Sequence, residues 1–228
     1  MIEAIFFDID DTIFDFSQCA HRAFGDACAA VKITPTEDAW QTFCRIDVSL
    51  WKAQKEGRLT VSEVVQFRAE HFTETAGAPV TASAFQQAFQ QALSVQAVLV
   101  PGAGHVVRSL YGRFPLFAAS NGMLQTQLSR LKSAGLLSYF SDVFVSDEIG
   151  FEKPDSRFFS ECLHRIHFRP EEVLMVGDSL LADIAGGMKS GLKTCWLNRT
   201  KKPNPSGMIP DYELSGLPEL LTLLTSEG

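Results

Sequence analysis

Met1-Ile-Glu-Ala-Ile-Phe-Phe-Asp8-Ile-Asp10-Asp-Thr12 opens the chain. Ala4 to Phe7 is an unbroken apolar run flanked by charge, which fits a strand buried on both faces of a parallel sheet rather than a half-exposed one. Asp8 then falls at the carboxyl end of that strand. Asp10 follows two residues on, and extended backbone directs both carboxylates toward the same region. An isolated Asp-x-Asp is commonly a capped turn. After a wholly apolar strand it becomes a candidate for chemistry, because one carboxylate can attack phosphorus while its neighbour moves the proton at the leaving oxygen.

Working outward, similar apolar runs recur at Phe114 to Ala119, Val143 to Val145, Val173 to Val176 and Leu192 to Trp196. Helical apolar spacing separates them at Gly122 to Ala134 and Asp155 to His167, and this alternation predicts an α/β, Rossmann-like three-layer core with a parallel sheet. Polar residues cluster just after the runs, namely Ser120 and Asn121, Lys153, then Asp178 and Asp183. Ligands of open α/β sheets bind beyond the carboxyl ends of the strands, so these separate positions can converge on one site. Ser120 and Asn121 offer hydroxyl and amide donors to a phosphate. Lys153 supplies the positive charge that phosphoryl transfer needs on its equatorial oxygens. Asp178 and Asp183, about one helical turn apart, are hard oxygen ligands of the kind that suits Mg2+. Each motif alone has an ordinary explanation as a turn, a cap or surface charge; four of them at equivalent strand ends point to a site.

The stretch from about Phe14 to Leu99 has long helical patterns at His21 to Ala30, Thr36 to Ala53, Ser62 to Glu70 and Ala82 to Leu93, without a buried-strand run. It reads as a helical domain inserted after the first strand, with residues 15–98 forming the insertion and 1–14 plus 99–228 the core. Pro101-Gly102 marks the return to the core, where Ala103 to Tyr111 resumes a helical pattern. Only a helix and a strand fit between Asn121 and Lys153, which argues against a second large insertion. In the tail, Tyr212 to Leu214 is expected as an edge strand and Leu217 to Leu224 as a helix.

Together, Asp8-Ile-Asp10-Asp-Thr12, Ser120-Asn121, Lys153-Pro154 and Gly177-Asp178 through Asp183 resemble, in order, the motifs of the haloacid dehalogenase-like hydrolase superfamily. That resemblance implies Asp8 as nucleophile, Asp10 as general acid and base, and Thr12 as support for the first loop. It implies Ser120 and Asn121 as phosphate-binding, and Lys153 as the group neutralising both the nucleophile and the phosphoryl oxygens. It also implies Mg2+ held by Asp8, Asp10 through its carbonyl, and Asp178, with Asp183 supporting. Asp10 separates a phosphatase from the dehalogenases, which lack a carboxylate there. The inserted helices resemble the C1 cap of this superfamily. Phe14, Phe16, Trp40, Phe43, Trp51 and Phe67 are candidates to line it, although aromatic residues at helical spacing more often pack a core.

Phe6 to Phe14, Leu50-Trp51, Gly57 to Thr60 and Ala182 to Asn198 further resemble the bacterial pyrimidine 5'-nucleotidase branch, implying pyrimidine nucleoside 5'-monophosphates as substrates. Phosphatases of small sugar phosphates, phosphoglycolate or acylneuraminate phosphate are the alternative within this class. A non-catalytic phosphate-binding or interaction module is the alternative outside it.

The chain has 20 Lys and Arg against 27 Asp and Glu, so it lacks the basic excess that a nucleic-acid polymer would require. A small phosphomonoester is the expected partner. The start meets charge before it could form a signal or a membrane span. Five cysteines without Cys-x-x-Cys spacing fit reduced thiols in the cytoplasm better than a disulfide framework.

Overall fold

The computed structural model describes residues 1–77 and 80–226. The expected insertion and core ranges also include 78–79 and 227–228, which lie outside the described residues. The chain divides into two compact units, Met1–Phe16 with Ala97–Gly228, and Ser17–Gln96.

In the first unit the described residues form a parallel sheet of β1 (Ala4–Phe7), β2 (Leu116–Ser120), β3 (Asp142–Val145), β4 (Val173–Gly177), β5 (Lys193–Leu197) and β6 (Tyr212–Leu214). The strand order is β3-β2-β1-β4-β5-β6. β1 is central, with Phe7 opposite Ala118 of β2 on one side and Val176 of β4 on the other. Chain connectivity reverses direction across β1, and the crevice at such a reversal is where open parallel sheets bind ligands. Asp8 is the first residue beyond β1 and still continues its ladder, donating its N–H to the Val176 carbonyl at 2.9 Å.

The continuous apolar runs are explained by what covers each face. Ala4 and Phe6 of β1 join Phe117, Phe144, Phe158, Phe159 and Cys162 in one buried cluster, while Phe7 meets the ring of Phe140 edge-on at 6.3 Å. β2 begins two residues later than the pattern predicts, because Pro115 has no N–H to give a ladder and serves at the strand's entry. Its carbonyl accepts from Ile5 at 3.1 Å. At its other end β2 still pairs with β3 at Ser120, opposite Val145, so Ser120 is the last residue of the strand itself.

The second unit is built from α1 (Phe16–Ala30), α2 (Glu37–Lys55), α3 (Val61–Thr75) and α4 (Ala82–Leu93). The starts of α2, α3 and α4 follow from sequence chemistry. Thr36, Thr60 and Thr81 each accept a hydrogen bond from the backbone N–H three residues on, and Glu63 completes a capping box with Thr60. α1 begins five residues before the periodicity predicts, because Asp11 accepts from the Phe16 N–H at 3.2 Å and so caps the helix from the first loop. Phe24, Phe43, Phe72, Phe85 and Phe89 interlock at the centre of this unit. Arg68 is buried among them, paired with Asp47 at 2.9 Å and lying over the Phe89 ring at 4.7 Å. Phe43 is therefore a packing residue. Phe14 is likewise fully buried, in the first unit. Neither lines a chamber as the sequence allowed.

The helices of the first unit are α5 (Ala103–Leu110), α6 (Leu124–Ser133), α7 (Ser146–Ile149), α8 (Ser156–Ile166), α9 (Gly186–Lys189) and α10 (Glu219–Ser226). Between β4 and α9, Leu180–Ala185 forms a widened, π-type turn in which Ile184 N–H reaches back to the Ser179 carbonyl. Such turns recur at functional sites because they re-aim a side chain. No helix among the described residues is long and apolar enough to cross a membrane.

Candidate active site

The carboxyl ends of β1 and β4 and the segments beyond β3 and β4 bring Asp8, Lys153, Asp178 and Asp183 into one cluster, with the Ala119 carbonyl of β2 against Lys153. Asp8 accepts from Lys153 Nζ at 2.8 Å through Oδ1, and from Thr12 Oγ1 at 3.3 Å through Oδ2. Lys153 is 1 % exposed, so its charge must be answered locally. All three ammonium donors are taken, by Asp8, by Asp183 Oδ1 at 2.6 Å and by the Ala119 carbonyl at 2.6 Å. Burial pulls the ammonium's pKa down, but Asp183 and Asp8 outweigh that and hold it above its usual value.

Asp183 is oriented by its second oxygen, which accepts from the Ser179 N–H at 3.0 Å. It approaches the backbone so closely that a Cβ on Gly177 would collide with the carboxylate, which requires glycine there. Asp178 is fixed through its main chain, its carbonyl accepting from the Trp196 indole at 2.9 Å. Asp8, Asp178 and Asp183 present oxygens all within 4.8 Å of one another. Burial pushes the Asp8 carboxyl well above the usual carboxylate range, Lys153 pulls it back, and Asp183 and Asp178 raise it again.

Three carboxylates, two of them buried, gather about the one ammonium of Lys153. An all-oxygen donor set of this kind fits a divalent hard cation such as Mg2+.

Ser120 and Asn121 divide their tasks. The Ser120 hydroxyl accepts from the Gly122 N–H at 3.0 Å and from Gln127 Nε2 at 3.2 Å. The Asn121 side chain is turned to the Lys153 backbone, accepting from its N–H and donating to its carbonyl, both at 2.8 Å. It holds the lysine loop against the β2 loop, a structural task the sequence did not disclose. Asp10 lies beside α6, where Arg130 Nη1 donates to its Oδ1 at 2.6 Å and Gln127 Nε2 to its Oδ2 at 2.9 Å. Gln127, Arg130 and Trp196 were missed by sequence reading. Polar residues three apart in an amphipathic helix read as a solvated face, and an aromatic residue in a strand reads as core.

A carboxylate cluster built for a divalent cation, with a buried lysine and a hydroxyl at the switch point of a parallel sheet, defines a metal-binding α/β hydrolase. Residues 2–191 match the haloacid dehalogenase-like hydrolase family, and the chain belongs to that family. It is 37% identical to the Bacillus subtilis protein YfnB, over 98% of this chain and 96% of that one. The crystal structure of YfnB bound to magnesium superposes with a TM-score of 0.91 at 36% identity, covering 98% of both chains. The pyrimidine 5'-nucleotidases YjjG of Escherichia coli and PynA of Streptococcus pneumoniae are 32% and 31% identical, each over 96% of this chain and over 96% and 94% of their own.

Proposed function

We propose that the protein is a magnesium-dependent phosphomonoesterase that acts through an aspartyl-phosphate on Asp8 and takes pyrimidine nucleoside 5'-monophosphates as its substrates. The observation that carries this reading is the Asp8 carboxylate at the end of the central strand, ion-paired to a buried Lys153 and grouped with Asp178 and Asp183.

In the first half-reaction an Asp8 oxygen attacks phosphorus as the ester P–O bond breaks, and Asp10 gives its proton to the leaving alcohol oxygen. In the second, the Asp10 carboxylate takes a proton from water as that water oxygen attacks phosphorus. The bond between phosphorus and Asp8 then breaks and inorganic phosphate departs. The Ser120 hydroxyl and the main-chain N–H of Asn121 grip the phosphoryl oxygens. Lys153, fixed by Asp183 and the Ala119 carbonyl, balances the charge of Asp8 and, as the acyl phosphate forms, that of the phosphoryl oxygens. Mg2+, held by Asp8, the Asp10 carbonyl and Asp178 with Asp183 in support, supplies further charge neutralisation when bound.

The helical unit Ser17–Gln96 takes the part of a C1 cap that closes over the substrate and excludes water. Nucleotide specificity is supported by the likeness to two pyrimidine 5'-nucleotidases over almost the full chain. Five cysteines free of disulfides favour the cytoplasm. Under identical magnesium conditions, kcat/KM for UMP, dUMP and dTMP is expected to exceed that for small phosphosugars by roughly tenfold or more, about 1.4 kcal/mol in the transition state. A reproducible preference for a phosphosugar overturns the nucleotide assignment while leaving the Asp8 chemistry in place.

A further inference from the structure

We propose that Gln127 and Arg130 of α6 form a clamp that positions the Asp10 carboxylate for proton transfer and, through Gln127, ties it to the Ser120 hydroxyl. The inference rests on the reading of Asp10 as the acid and base of the reaction.

Both oxygens of Asp10 are held by separate donors, Oδ1 by Arg130 and Oδ2 by Gln127. The two donors are themselves joined, Arg130 Nη1 donating to Gln127 Oε1 at 3.0 Å. Arg130 is fully buried and Gln127 is 1 % exposed, whereas the Asp10 side chain is 31% exposed. The rigid members are thus on the helix and the member that faces the crevice is the carboxylate. Residues three apart in a helix share a face, so α6 presents both donors together. The guanidinium plane is further fixed by lying over the Phe14 ring at 4.5 Å. A Cβ on Gly122 would meet the Gln127 amide, so a larger residue there would push that amide away from its present position.

Gln127 Nε2 donates both to Asp10 Oδ2 and to Ser120 Oγ. One amide therefore fixes the proton-transfer group relative to the hydroxyl that grips phosphate. The leaving oxygen is bonded to that phosphorus, so its distance to Asp10 follows from the same amide. A carboxylate free to change rotamer would sample this alignment only part of the time, and misplacement of a reacting group by about 1 Å can cost roughly 100-fold in rate. Gln127 and Arg130 touch neither the substrate nor the cation in this account; they are positioning residues.

The bland alternative is that Arg130 needs a counter-ion and Asp10 happens to supply it. A double-mutant cycle separates the two. Arg130→Met keeps an unbranched apolar stem but removes the guanidinium with its charge and donors, and Gln127→Leu tests the same clamp if the first variant folds poorly. Each is expected to lower kcat on an alkyl phosphomonoester roughly 10- to 100-fold, with a smaller loss on an aryl phosphate whose leaving group needs less protonation. In an Asp10→Asn background, assayed on the aryl phosphate, Arg130→Met should not lower the rate further, and Gln127→Leu should lower it by a much smaller factor than in the parent, through Ser120 alone. Arg130→Lys, which still offers one charged donor to Oδ1, should recover most of the rate. If either substitution lowers the Asp10→Asn rate by the same factor as it lowers the parent rate, or leaves the parent rate intact, the clamp is overturned. If Asp10→Asn alone turns over like the parent, the acid and base reading of Asp10 fails instead.

Discussion

Asp8→Asn is expected to lower kcat by roughly 10⁵-fold or more, the scale on which loss of a covalent nucleophile acts. The amide keeps the size and most of the hydrogen bonding of the carboxylate, yet it is a poor nucleophile and carries no charge for a cation. The fold should not suffer. Asp8 is one of three carboxylates converging within 4.8 Å, and burial holds its carboxyl well above the usual range. A raised folded pKa means that ionised Asp8 opposes folding at neutral pH, so a neutral amide removes that cost. Lys153 retains Asp183 and the Ala119 carbonyl. In chelator, the thermal midpoint of Asp8→Asn should therefore equal or exceed that of the parent, a gain in stability with a loss of function. Phosphate-release kinetics and a thermal melt read both quantities, and a variant that turns over normally while folded removes Asp8 from the mechanism.

Lys153→Met should act in the opposite sense on stability. The buried ammonium answers two carboxylates directly, and truncating one partner of a buried ion pair costs about 3–5 kcal/mol because the remaining charge stays desolvated. Here Asp8 and Asp183 both lose their cation, and the Ala119 carbonyl loses its donor. Activity should fall by roughly 10²- to 10³-fold in kcat, as for removal of a preorganised charge-stabilising donor. Saturating magnesium should restore part of the lost stability by supplying positive charge to the same carboxylates, without restoring the rate. Urea unfolding with and without magnesium, alongside kcat, is the check. A Lys153→Met variant as stable as the parent in chelator would mean that the cluster does not need the ammonium's charge.

The parallel sheet was legible because strands covered on both faces cannot hide their apolar runs. Ala4 to Phe7 and Val173 to Val176 packed where their composition required, and Tyr212–Leu214 was found at the sheet edge. The convergence of Asp8, Lys153, Asp178 and Asp183 followed from a topological rule, since Asp8 and Asp178 stand just past β1 and β4 and the other two lie in the segments that follow β3 and β4. What depended on side-chain direction was not legible. Asn121 turns to the Lys153 backbone, and Trp196 reaches from β5 to the Asp178 carbonyl. Gln127 and Arg130 are buried on a helix whose charge pattern reads as solvated. Asp11 caps α1 from a left-handed conformation at φ 62°, a backbone state that aspartate adopts more readily than most residues but that no periodicity announces. In the helical unit, Phe24, Phe72, Phe85 and Phe89 are fully buried while Trp40 and Trp51 stay partly exposed. Spacing alone does not rank aromatic residues by depth.

The central claim is that phosphorus is bonded to Asp8 during turnover. Enzyme mixed with a phosphomonoester and magnesium, quenched in acid within a turnover and digested, should yield a phosphorylated peptide containing Asp8. Borohydride treatment of the quenched enzyme should reduce the acyl phosphate and convert Asp8 to homoserine. Asp8→Asn should give neither product. Unmodified Asp8 in enzyme caught turning over, together with phosphate release by Asp8→Asn at the parent rate, would contradict the account.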